Sequence, residues 1–420
     1  MVESKWYVMN LSDKNVLLIS YTFPPYPGIG GRRWAKTAKY LTRLGYTVHV
    51  IHAKNQFKEN SLWLNDIENN DHIIRHEIYS GYPSVLLTQP KSSIEKIKYR
   101  LSLYYVNFFS KGTPYDRGIF WGKSMMQLSE KLIKQYNIKN VIVSSAPFSD
   151  AYNAIELKSK TKDLNLMIDF RDPWTWGKGY GMTTLKTEKI SFEKEMELKV
   201  MQKFDKVFVP SQDMNDHLAL SYKQFSDKLI VLPHAFDKDE IVVKPKQLSD
   251  TTRLLFYGSL YSNLDYVFKS LAIFIGESSN KISLEIYSSS RTYIEKFDSK
   301  HLIGKTVNYY PQILPDELFS KMDCFDYVII VQPDYAKDFI TTKIYEVIYA
   351  GKPILLISNK GKLFDFIKKN NLGLCFSKDD LPNKLKTIFE FNSNDFNVKG
   401  FPINEYSFET IVSSLSNFLK

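Results

Sequence analysis

Cysteine is scarce in this chain of 420 residues, which contains only Cys324 and Cys375. Both lie in apolar segments, so we expect them to pack in the core, and so few cysteines argue against a disulfide framework. Long apolar runs are also missing, since none approaches the roughly 20 residues that span a membrane. Met1–Asn10 lacks the apolar stretch of a signal peptide. We therefore expect a cytoplasmic location, with peripheral attachment to the inner face of the cell membrane as an open alternative.

The usual signatures of several site classes are absent too. The seven histidines form no H-x-x-x-H pair and have no cysteine partners, so we expect no bound metal and no cofactor. Neither a nucleophile elbow nor a Walker A loop is present. Positive charge is in excess, at +10, which suggests an anionic partner such as a nucleotide or a membrane surface. No zinc-finger spacing, aromatic RNA-binding motif or long Arg/Lys run supports nucleic acid as that partner.

Short apolar runs alternate with helical patterns along the chain, which predicts parallel sheets with crossover helices. A length of 420 residues favours two domains. We place the boundary after Asp237, because Lys, Asp, Gln and Ser replace the apolar pattern between Asp237 and Thr252. The predicted domains are therefore residues 1–237 and 238–420. A last helix, roughly Tyr406–Leu419, either packs on its own domain or crosses back to the first.

The same alternation of strands and helices is predicted in each of the two domains. In the first domain they are Val16–Ser20, Thr47–His52, Asn140–Ser144, Leu166–Asp169, Lys206–Val209 and Leu229–Leu232. In the second domain they are Arg253–Tyr257, Ser283–Tyr287, Val307–Tyr309, Asp326–Val331, Pro353–Ile357 and Leu374–Phe376. One α/β domain is therefore expected to follow another.

A glycine-rich corner follows the first predicted strand. Gly28, Gly30 and Gly31 free the backbone for the close approach of a ligand, and the helix that begins after them offers unpaired N–H groups to a phosphate. Arg32 and Arg33 in the first helical turn are disfavoured by the helix dipole unless an anion is bound. The dinucleotide spacing G-x-G-x-x-G fails, because Arg33 stands at its third glycine. The alternative is a mobile loop with solvated arginines.

A charged corner, Asp169–Trp174, follows another predicted strand. Its three charges and its tryptophan come directly after a buried run, which is costly unless they have partners. Asp172 can accept a proton or bind a sugar hydroxyl, and Arg171 can hold phosphate oxygens. The alternative is structural, with Asp169 or Asp172 pairing with Arg171 and capping a turn.

A third corner, Val143–Asp150, joins a predicted strand to the next helix. It contains two polar residues at the position where that helix is expected to begin, Ser149 and Asp150. Either residue can cap the helix by accepting backbone hydrogen bonds, or can take part in catalysis. The sequence alone does not choose between these two roles.

The segment Lys343–Leu355 predicts a short helix, a tight stop and a buried strand. Three apolar side chains share one helical face, Ile344, Val347 and Ile348. Glu346 lies outside that stripe and faces the open end of an α/β sheet, where ligands bind. Its carboxylate can accept two hydrogen bonds from a sugar diol such as a ribose. The alternative is a solvated glutamate favoured by the helix dipole.

Together these corners resemble family 4 and related glycosyltransferases of the GT-B fold, which assemble bacterial surface polysaccharides. The resemblance covers nearly the whole chain and keeps the order of the motifs. It rests on Tyr21–Arg33, Ser144–Asp150, Asp169–Trp174, Pro233–Asp237, Phe256–Tyr261 and Lys343–Leu355.

The resemblance implies two Rossmann-like domains that face a central cleft, with the nucleotide sugar on the C-terminal domain and most of the acceptor on the N-terminal domain. It implies that Glu346 binds the ribose of the donor. It also implies that Gly30 and Gly31 approach the donor diphosphate from the first domain, and that Gly258 and Ser259 lie near it in the second. Retention of configuration at the anomeric carbon, without a metal ion, is likewise expected from the resemblance.

The donor motifs depart from the family pattern at two points. Asp338 stands eight residues before Glu346, where the family has a glutamate, and its side chain is one methylene shorter. After the Gly-Ser turn no basic residue occurs until Lys269, whereas the family often has Arg and Lys there to neutralise the diphosphate. Three residues are candidates to supply that charge instead, Arg32, Arg171 and Lys343. Thr342, at the start of the predicted helix, completes the predicted donor site.

The acceptor side departs from the family pattern as well. A histidine is often found near the Ser144–Asp150 corner, and this chain has none there. The family's catalytic histidine therefore has no counterpart, and the candidate catalytic residues are Asp172, Arg171 and Asp150. We predict sugar transfer to a hydroxyl of a lipid-linked or polysaccharide acceptor. The alternatives are a nucleotide-sugar 2-epimerase of the same architecture and a nucleotide-sugar-binding protein without catalysis.

Residues 94–109 predict an amphipathic helix with a possible second role. Four apolar residues recur along it, Ile94, Ile97, Leu101 and Phe108, and three basic residues lie among them, Lys96, Lys98 and Arg100. Such a helix can lie on an anionic membrane leaflet and present a lipid-linked acceptor. The alternative is an ordinary packed helix with a solvated face.

Overall fold

A computed structural model describes residues 14–243, 249–260, 265–288, 306–334, 337–338, 340–381 and 383–420. The chain divides into two compact units. The first contains Met1–Pro233 together with Ile411–Lys420, and the second contains His234–Thr410. Among the helices that the structure describes, none is long and apolar enough to cross a bilayer.

The first unit is built on a parallel sheet of seven strands in the order β3-β2-β1-β4-β5-β6-β7. Its strands are β1 Asn15–Ile19, β2 Thr47–Ala53, β3 Ile73–Ile78, β4 Asn140–Ser145, β5 Asn165–Phe170, β6 Lys206–Val209 and β7 Leu229–Val231. Its helices are α1 Arg32–Arg43, α2 Asn65–Glu68, α3 Ser93–Phe109, α4 Gly122–Gln135, α5 Ser149–Lys160, α6 Thr187–Lys203 and α7 Gln212–Ser221. The central strands are buried on both faces, as their continuous apolar runs predict.

The second unit has a parallel sheet of six strands in the order β10-β9-β8-β11-β12-β13. Its strands are β8 Thr252–Tyr257, β9 Ile282–Ser288, β10 Val307–Pro311, β11 Tyr327–Val331, β12 Ile354–Ile357 and β13 Gly373–Phe376. The described helices of this half of the chain are α8 Asp265–Glu277, α9 Pro315–Ser320, α10 Thr342–Tyr349, α11 Lys362–Lys369 and α12 Phe408–Ser416. The prediction of two parallel α/β sheets is confirmed.

Every predicted strand is present, but the edge strand β3 was missed. Its sequence, Ile73–Ile78, has Arg75, His76 and Glu77 at its centre, so it lacks the apolar run that marks the other strands. Polar residues are tolerated there because β3 pairs only with β2 and is partly exposed along its length.

The candidate corners follow from the order of the strands. In each sheet the order in which the strands are added reverses beside the first strand. This reversal lies between β1 and β4 in the first unit and between β8 and β11 in the second. Ligands of open α/β sheets bind at the carboxyl ends of the strands at such a reversal. The glycine-rich corner follows β1, and the Gly258-Ser259 turn follows β8, so both lie at a reversal.

The C-terminal segment returns to the first unit, which decides between the two predicted positions for it. The side-chain amide of Asn140 donates to the carbonyl oxygen of Lys420 at 3.0 Å, and the backbone N–H of Lys420 donates back to Asn140 Oδ1 at 2.9 Å. Asn165 Nδ2 donates to the Phe418 carbonyl at 2.8 Å. These bonds attach the chain end to the amino ends of β4 and β5.

Candidate functional site

The glycines after β1 are required by the protein's own packing. A Cβ atom on Gly31 would lie 2.2 Å from the carbonyl oxygen of Thr22, which is backbone and has little freedom to move. A Cβ atom on Gly30 would lie 2.7 Å from Arg171 Nη1 and 2.9 Å from Thr22 Oγ1. The absence of side chains at this corner therefore has a structural cause, besides the predicted approach of a ligand.

The arginines of this corner are buried, which excludes the alternative of solvated side chains. Arg32 is 5% exposed and Arg33 is 7% exposed. Arg33 donates from Nε and Nη2 to the two carboxylate oxygens of Asp169, at 2.9 and 3.0 Å. Its other N–H groups donate to the carbonyl oxygens of Leu232 and Pro233, at 2.8 and 2.9 Å. Arg33 thus joins α1, β5 and the segment after β7.

Asp169 is fully buried and completely engaged in this ion pair. Besides Arg33, Trp34 donates its ring N–H to Asp169 Oδ2 at 2.8 Å. A buried carboxylate is tolerable when it is paired and hydrogen-bonded in this way. The structural alternative in which Asp169 pairs with Arg171 is excluded, because Arg33 occupies both oxygens. Within the Asp169–Trp174 corner, Arg171 and Asp172 therefore remain as candidates for contact with a ligand.

Arg171 connects three corners of the first sheet. Its Nη1 donates to the Gly30 carbonyl at 2.6 Å, its Nε to the Ser145 carbonyl at 3.3 Å, and its Nη2 to the Ala146 carbonyl. Three of the five guanidinium N–H groups are thus used, and their acceptors carry no formal charge. Arg171 holds the corners together, and its positive charge has no carboxylate partner within 4 Å among the residues described.

Asp172 lies beside this clamp and is half-buried. Tyr180 donates its hydroxyl to Asp172 Oδ2 at 2.9 Å. Burial, followed by the charge of Asp172, raises the pKa of Tyr180, so the phenol keeps its proton and remains a donor. The second carboxylate oxygen of Asp172 has no hydrogen-bond partner within the described part of the chain, so it can accept one from a ligand.

Asp150 is fully buried and lies next to a second buried carboxyl group, Asp116. Trp121 donates its ring N–H to Asp150 Oδ1 at 2.6 Å, while Asp150 Oδ2 has no partner among the described residues. Burial first, and then the proximity of Asp116, raise the pKa of Asp150 well above its usual value. Both effects favour the neutral acid form of Asp150.

Asp116, the other carboxyl group of this pair, caps helix α5. Its carboxylate accepts from the backbone N–H groups of Gly118, Phe148 and Ser149, at 2.9, 2.8 and 2.8 Å, and from the Ser149 hydroxyl at 2.5 Å. Burial raises the pKa of Asp116, and these four donors oppose that effect. Of the two roles left open for Ser149 and Asp150, capping thus belongs to Asp116. No local pattern could reveal it, because Asp116 is distant in sequence.

In the second unit, Lys343 lies against the turn that follows β8. Its Nζ donates to the carbonyl oxygen of Tyr257 and lies 4.5 Å from the centre of the Tyr257 ring. Gly258 has a φ of +118°, and a Cβ atom there would lie 2.8 Å from Lys343 Nζ. Burial lowers the pKa of Lys343 to about 8, and the nearby charge of Glu346 opposes this effect. An anion that binds beside Lys343 favours the charged form of this lysine.

Glu346 lies one helical turn after Lys343 and is only 9% exposed, which excludes the solvated alternative. The hydroxyl of Tyr257 is 3.5 Å from Glu346 Oε2, at the limit of a hydrogen bond. Lys343, Glu346 and Gly258 thus share one corner of the second sheet. Glycines 30 and 31 share another corner with Arg171 in the first sheet.

Three further predicted donor residues are less informative. Ser259 is exposed, and Thr342 is the first residue of α10. Asp338 is exposed and accepts from the backbone N–H of Lys362 at 3.0 Å, so it helps to start helix α11. Tyr261, the last residue of the Phe256–Tyr261 motif, lies outside the described residues. Within the described ranges, no three His, Cys, Asp or Glu side chains are grouped as metal ligands would be.

No protein-family model matches the chain, and no curated protein matches it in sequence. Solved structures match its fold over nearly its whole length. A glycosyltransferase from Rickettsia africae is 16% identical, with a TM-score of 0.64 over 96% of this chain and 97% of that one. Sucrose-phosphate synthase from Thermosynechococcus elongatus is 12% identical, with a TM-score of 0.62 over 96% and 98%.

An epimerase has the same fold. UDP-GlcNAc 2-epimerase from Neisseria meningitidis, bound to UDP-GlcNAc, is 11% identical, with a TM-score of 0.57 over 96% of this chain and 99% of that one. At these identities the likeness shows the fold alone. The chain has the GT-B fold of glycosyltransferases, as predicted, and epimerases share that fold. Membership of family 4 stays a prediction.

Proposed function

We propose that the protein is a glycosyltransferase that moves a sugar from a nucleotide-diphosphate sugar to a hydroxyl group of an acceptor. The bond between the anomeric carbon and the diphosphate oxygen breaks, and the diphosphate leaves with the electron pair. The acceptor oxygen forms the new bond and loses its proton. The main demand on the protein is to stabilise the charge that develops on the diphosphate. We assign the donor to the second unit and the acceptor to the first, with retention of configuration.

The observation that carries the proposal is the corner formed by Gly258, Lys343 and Glu346. It combines a cation, a backbone turn without a side chain and a buried carboxylate one helical turn away. These are the groups that a diphosphate and a ribose diol require. Of the other two candidate cations, Arg171 already holds three carbonyl oxygens and Arg32 is 5% exposed, so Lys343 is the best placed.

The state of Lys343 gives the proposal a pH signature. Its pKa is lowered to about 8 by burial, so the free protein loses that charge as the pH rises through 8. A bound diphosphate favours the charged form and raises this pKa. Donor binding is therefore expected to take up a proton near pH 8 and to weaken at higher pH.

The test compares donor affinity in Lys343→Met and in a matched control. A thermal-shift panel of nucleoside diphosphates and nucleotide sugars first identifies the ligand, because a ligand that binds only the folded state raises its stability. Titration calorimetry then measures the affinity. Losing a charged hydrogen bond is expected to weaken binding by roughly tenfold to a hundredfold. Lys369→Met removes an exposed lysine of the same unit and is expected to leave the affinity unchanged. Equal affinities in wild type and Lys343→Met would remove Lys343 from the site.

For the acceptor we propose a lipid-linked or polysaccharide intermediate at the inner face of the cell membrane. Asp172 is the best placed of the three catalytic candidates in the first unit, because it is half-buried and one of its oxygens can still accept a hydrogen bond. We assign it to the acceptor hydroxyl. Arg171 adds positive charge beside it, whereas Asp150 is fully buried and its pKa is raised well above its usual value, which favours a structural role.

A nucleotide-sugar 2-epimerase is the second candidate, favoured by the UDP-GlcNAc 2-epimerase structures that share the fold. Incubation with the bound nucleotide sugar in the absence of an acceptor separates the two. Nuclear magnetic resonance of the sugar then shows either an unchanged donor, as the transferase proposal requires, or the 2-epimer. A protein that binds the donor but turns over with no acceptor would fit the third alternative, binding without catalysis.

A further inference from the structure

Helix α3 is a well-defined element with an unusual pattern of exposure. It begins at a capping box, in which Ser92 Oγ accepts from the N–H of Glu95 at 3.2 Å and Glu95 Oε2 accepts from the N–H of Ser92 at 3.3 Å. Of its 17 residues only Val106 is buried. A helix this exposed would normally carry polar side chains over most of its surface.

The outer face of α3 is instead apolar. It consists of Ile94, Ile97, Leu101, Tyr104, Tyr105, Phe108 and Phe109, which are 68, 58, 66, 73, 51, 73 and 55% exposed. At 100° per residue these positions fall in one stripe of roughly 140°. They make up seven of the 18 large apolar side chains exposed among the described residues. Exposed apolar groups scattered singly need no explanation, but a continuous stripe marks a surface that contacts something.

The first unit holds α3 firmly by its C-terminal end. Lys189 on α6 donates from Nζ to the carbonyl oxygens of Asn107 and Ser110, at 3.0 and 2.7 Å. Val106, which points away from the outer face, is fully buried. Since α3 is fixed from its inner side, its outer face is presented as a formed surface.

The charges around the outer face are almost all positive. Residues 91–109 contain four basic residues, Lys91, Lys96, Lys98 and Arg100, and the single acidic residue Glu95. The Glu95 carboxylate is engaged by the N–H groups of Lys91 and Ser92, at 2.6 and 3.3 Å. At 100° per residue Lys98 falls within this stripe and Arg100 about 40° outside it. An apolar stripe with basic residues so placed matches the boundary between acyl chains and anionic headgroups, where aromatic rings are also favoured.

We propose that α3 docks the protein on an anionic lipid surface. The outer face enters the boundary between headgroups and acyl chains, and Lys98 and Arg100, within and beside that face, contact lipid phosphates. With 17 residues, three of them basic, α3 lies in the plane of the surface. The lipid contact depends on α3 alone. Its meaning for the reaction rests on the proposed function, because it places the acceptor-binding unit at the membrane from which a lipid-linked acceptor is drawn.

A second copy of the chain is a less suitable occupant of this face. A two-fold contact through α3 would bring together two segments with four basic residues and one acidic residue each. An anionic leaflet has the opposite sign and attracts each Lys or Arg near its surface. Charge complementarity therefore favours lipid over self-association.

Vesicle flotation of the full chain tests the proposal. The probes are vesicles of phosphatidylcholine alone and of phosphatidylcholine with phosphatidylglycerol, at low and high salt. We expect binding to the anionic vesicles at low salt, and weakening at high salt because the surface charge is screened. Three variants are compared with wild type. They are Leu101→Asp with Phe108→Asp, the triple change Lys96→Gln, Lys98→Gln and Arg100→Gln, and Leu220→Asp.

The expected results separate the lipid face from general effects. The aspartate variant is expected to lose binding, and the triple variant to bind on the order of a hundredfold more weakly, at roughly fivefold per basic residue. Leu220 is 71% exposed on α7, outside the α3 face, so Leu220→Asp is expected to bind like wild type. Because the changed side chains of α3 are exposed, unchanged tryptophan fluorescence is expected to show that these variants fold.

Three outcomes would overturn the proposal. The first is no binding of the wild type to anionic vesicles, and the second is equal binding of wild type and the aspartate variant. The third is dimerisation in light scattering that the aspartate variant abolishes without any lipid binding by the wild type, which would assign the face to self-association. Nucleotide affinity of the same variants is measured in parallel and is expected to be unchanged. Failure of lipid binding is therefore distinguishable from failure of the proposed donor site.

Discussion

The two sheets carry charged residues at the same place, the carboxyl ends of their strands, and use them differently. In the first unit, Arg33 and Asp169 form a buried ion pair, and Arg171 donates to three backbone carbonyls. In the second unit, Lys343 donates to one carbonyl and lies half-buried beside Gly258. The first set mainly holds loops together, whereas the second set is the one that we propose receives an anion.

The difference teaches that a charged motif after a buried strand is not evidence of a ligand by itself. Asp169 lies in a motif typical of a site, yet its partners are Arg33 and Trp34 and both of its oxygens are engaged. Lys343 differs because burial lowers its pKa to about 8, and the nearby charge of Glu346 opposes that effect only in part. The useful question for each charged group is therefore which partners the fold already supplies.

The largest expected effect follows from breaking the buried ion pair of the first unit. In Asp169→Asn the charge of Arg33 stays buried without its partner, so the free energy of unfolding is expected to fall by about 3 to 5 kcal/mol. All six tryptophans lie at or before residue 176, so tryptophan fluorescence during denaturation reports on the first unit.

The matched control for this prediction is an exposed ion pair in the same unit. Lys160 and Glu130 lie 2.7 Å apart and are 49 and 38% exposed. Glu130→Gln is expected to change the free energy of unfolding by less than about 1 kcal/mol. If Asp169→Asn were no more destabilising than Glu130→Gln, the account of the charged corner as a structural clamp would be wrong.

The sequence was sufficient for the architecture but only partly for the site. Continuous apolar runs such as Ile354–Ile357 predict buried parallel strands, because burial on both faces leaves little room for polar residues. The edge strand β3 is not predicted, because an edge strand need not be buried on both faces and so lacks a continuous apolar run. Helical spacing sets Glu346 apart from the apolar stripe of its helix, and its role in binding the donor stays a prediction.

The partners of the charged residues could not be predicted from local patterns. Arg33 pairs with Asp169, which is distant in sequence, and Asp116 caps a helix that begins at Ser149. Such contacts are set by which strands are neighbours, not by spacing within a motif. From the sequence, Arg32, Arg171 and Lys343 are equal candidates to bind the diphosphate. Only their burial and hydrogen bonding in the structure rank them.

A second prediction concerns the buried acids of the first unit. Glu193 accepts from the backbone N–H of Thr113 at 2.6 Å and from the ring N–H of Trp174 at 2.8 Å. Burial raises its pKa from 4.5 to about 7, against the effect of these bonds. Between pH 4.5 and 7, Glu193 is therefore protonated in the folded protein and ionised in the unfolded chain. Stability is expected to fall as the pH rises through this window, by up to about 3 kcal/mol from this group.

Glu193→Gln tests the assignment because glutamine stays neutral at every pH. Denaturation followed by tryptophan fluorescence at pH 5 and pH 8 is expected to show a smaller fall in stability for Glu193→Gln than for wild type. Glu195→Gln is the control, since Glu195 is 59% exposed on the same helix and forms an exposed pair with Lys199. An identical pH dependence in all three proteins would show that Glu193 does not titrate with a raised pKa.

The most direct test of the donor site is whether Glu346 recognises the ribose diol. Calorimetry measures the affinity of wild type and Glu346→Gln for the nucleoside diphosphate found in the panel and for its 2′-deoxy form. Wild type is expected to bind the ribonucleotide roughly tenfold or more tightly than the deoxynucleotide, since a hydrogen bond to a carboxylate is worth about 1.5 to 3 kcal/mol. Glu346→Gln is expected to lose most of that preference. A preference that persists unchanged in Glu346→Gln would contradict the account.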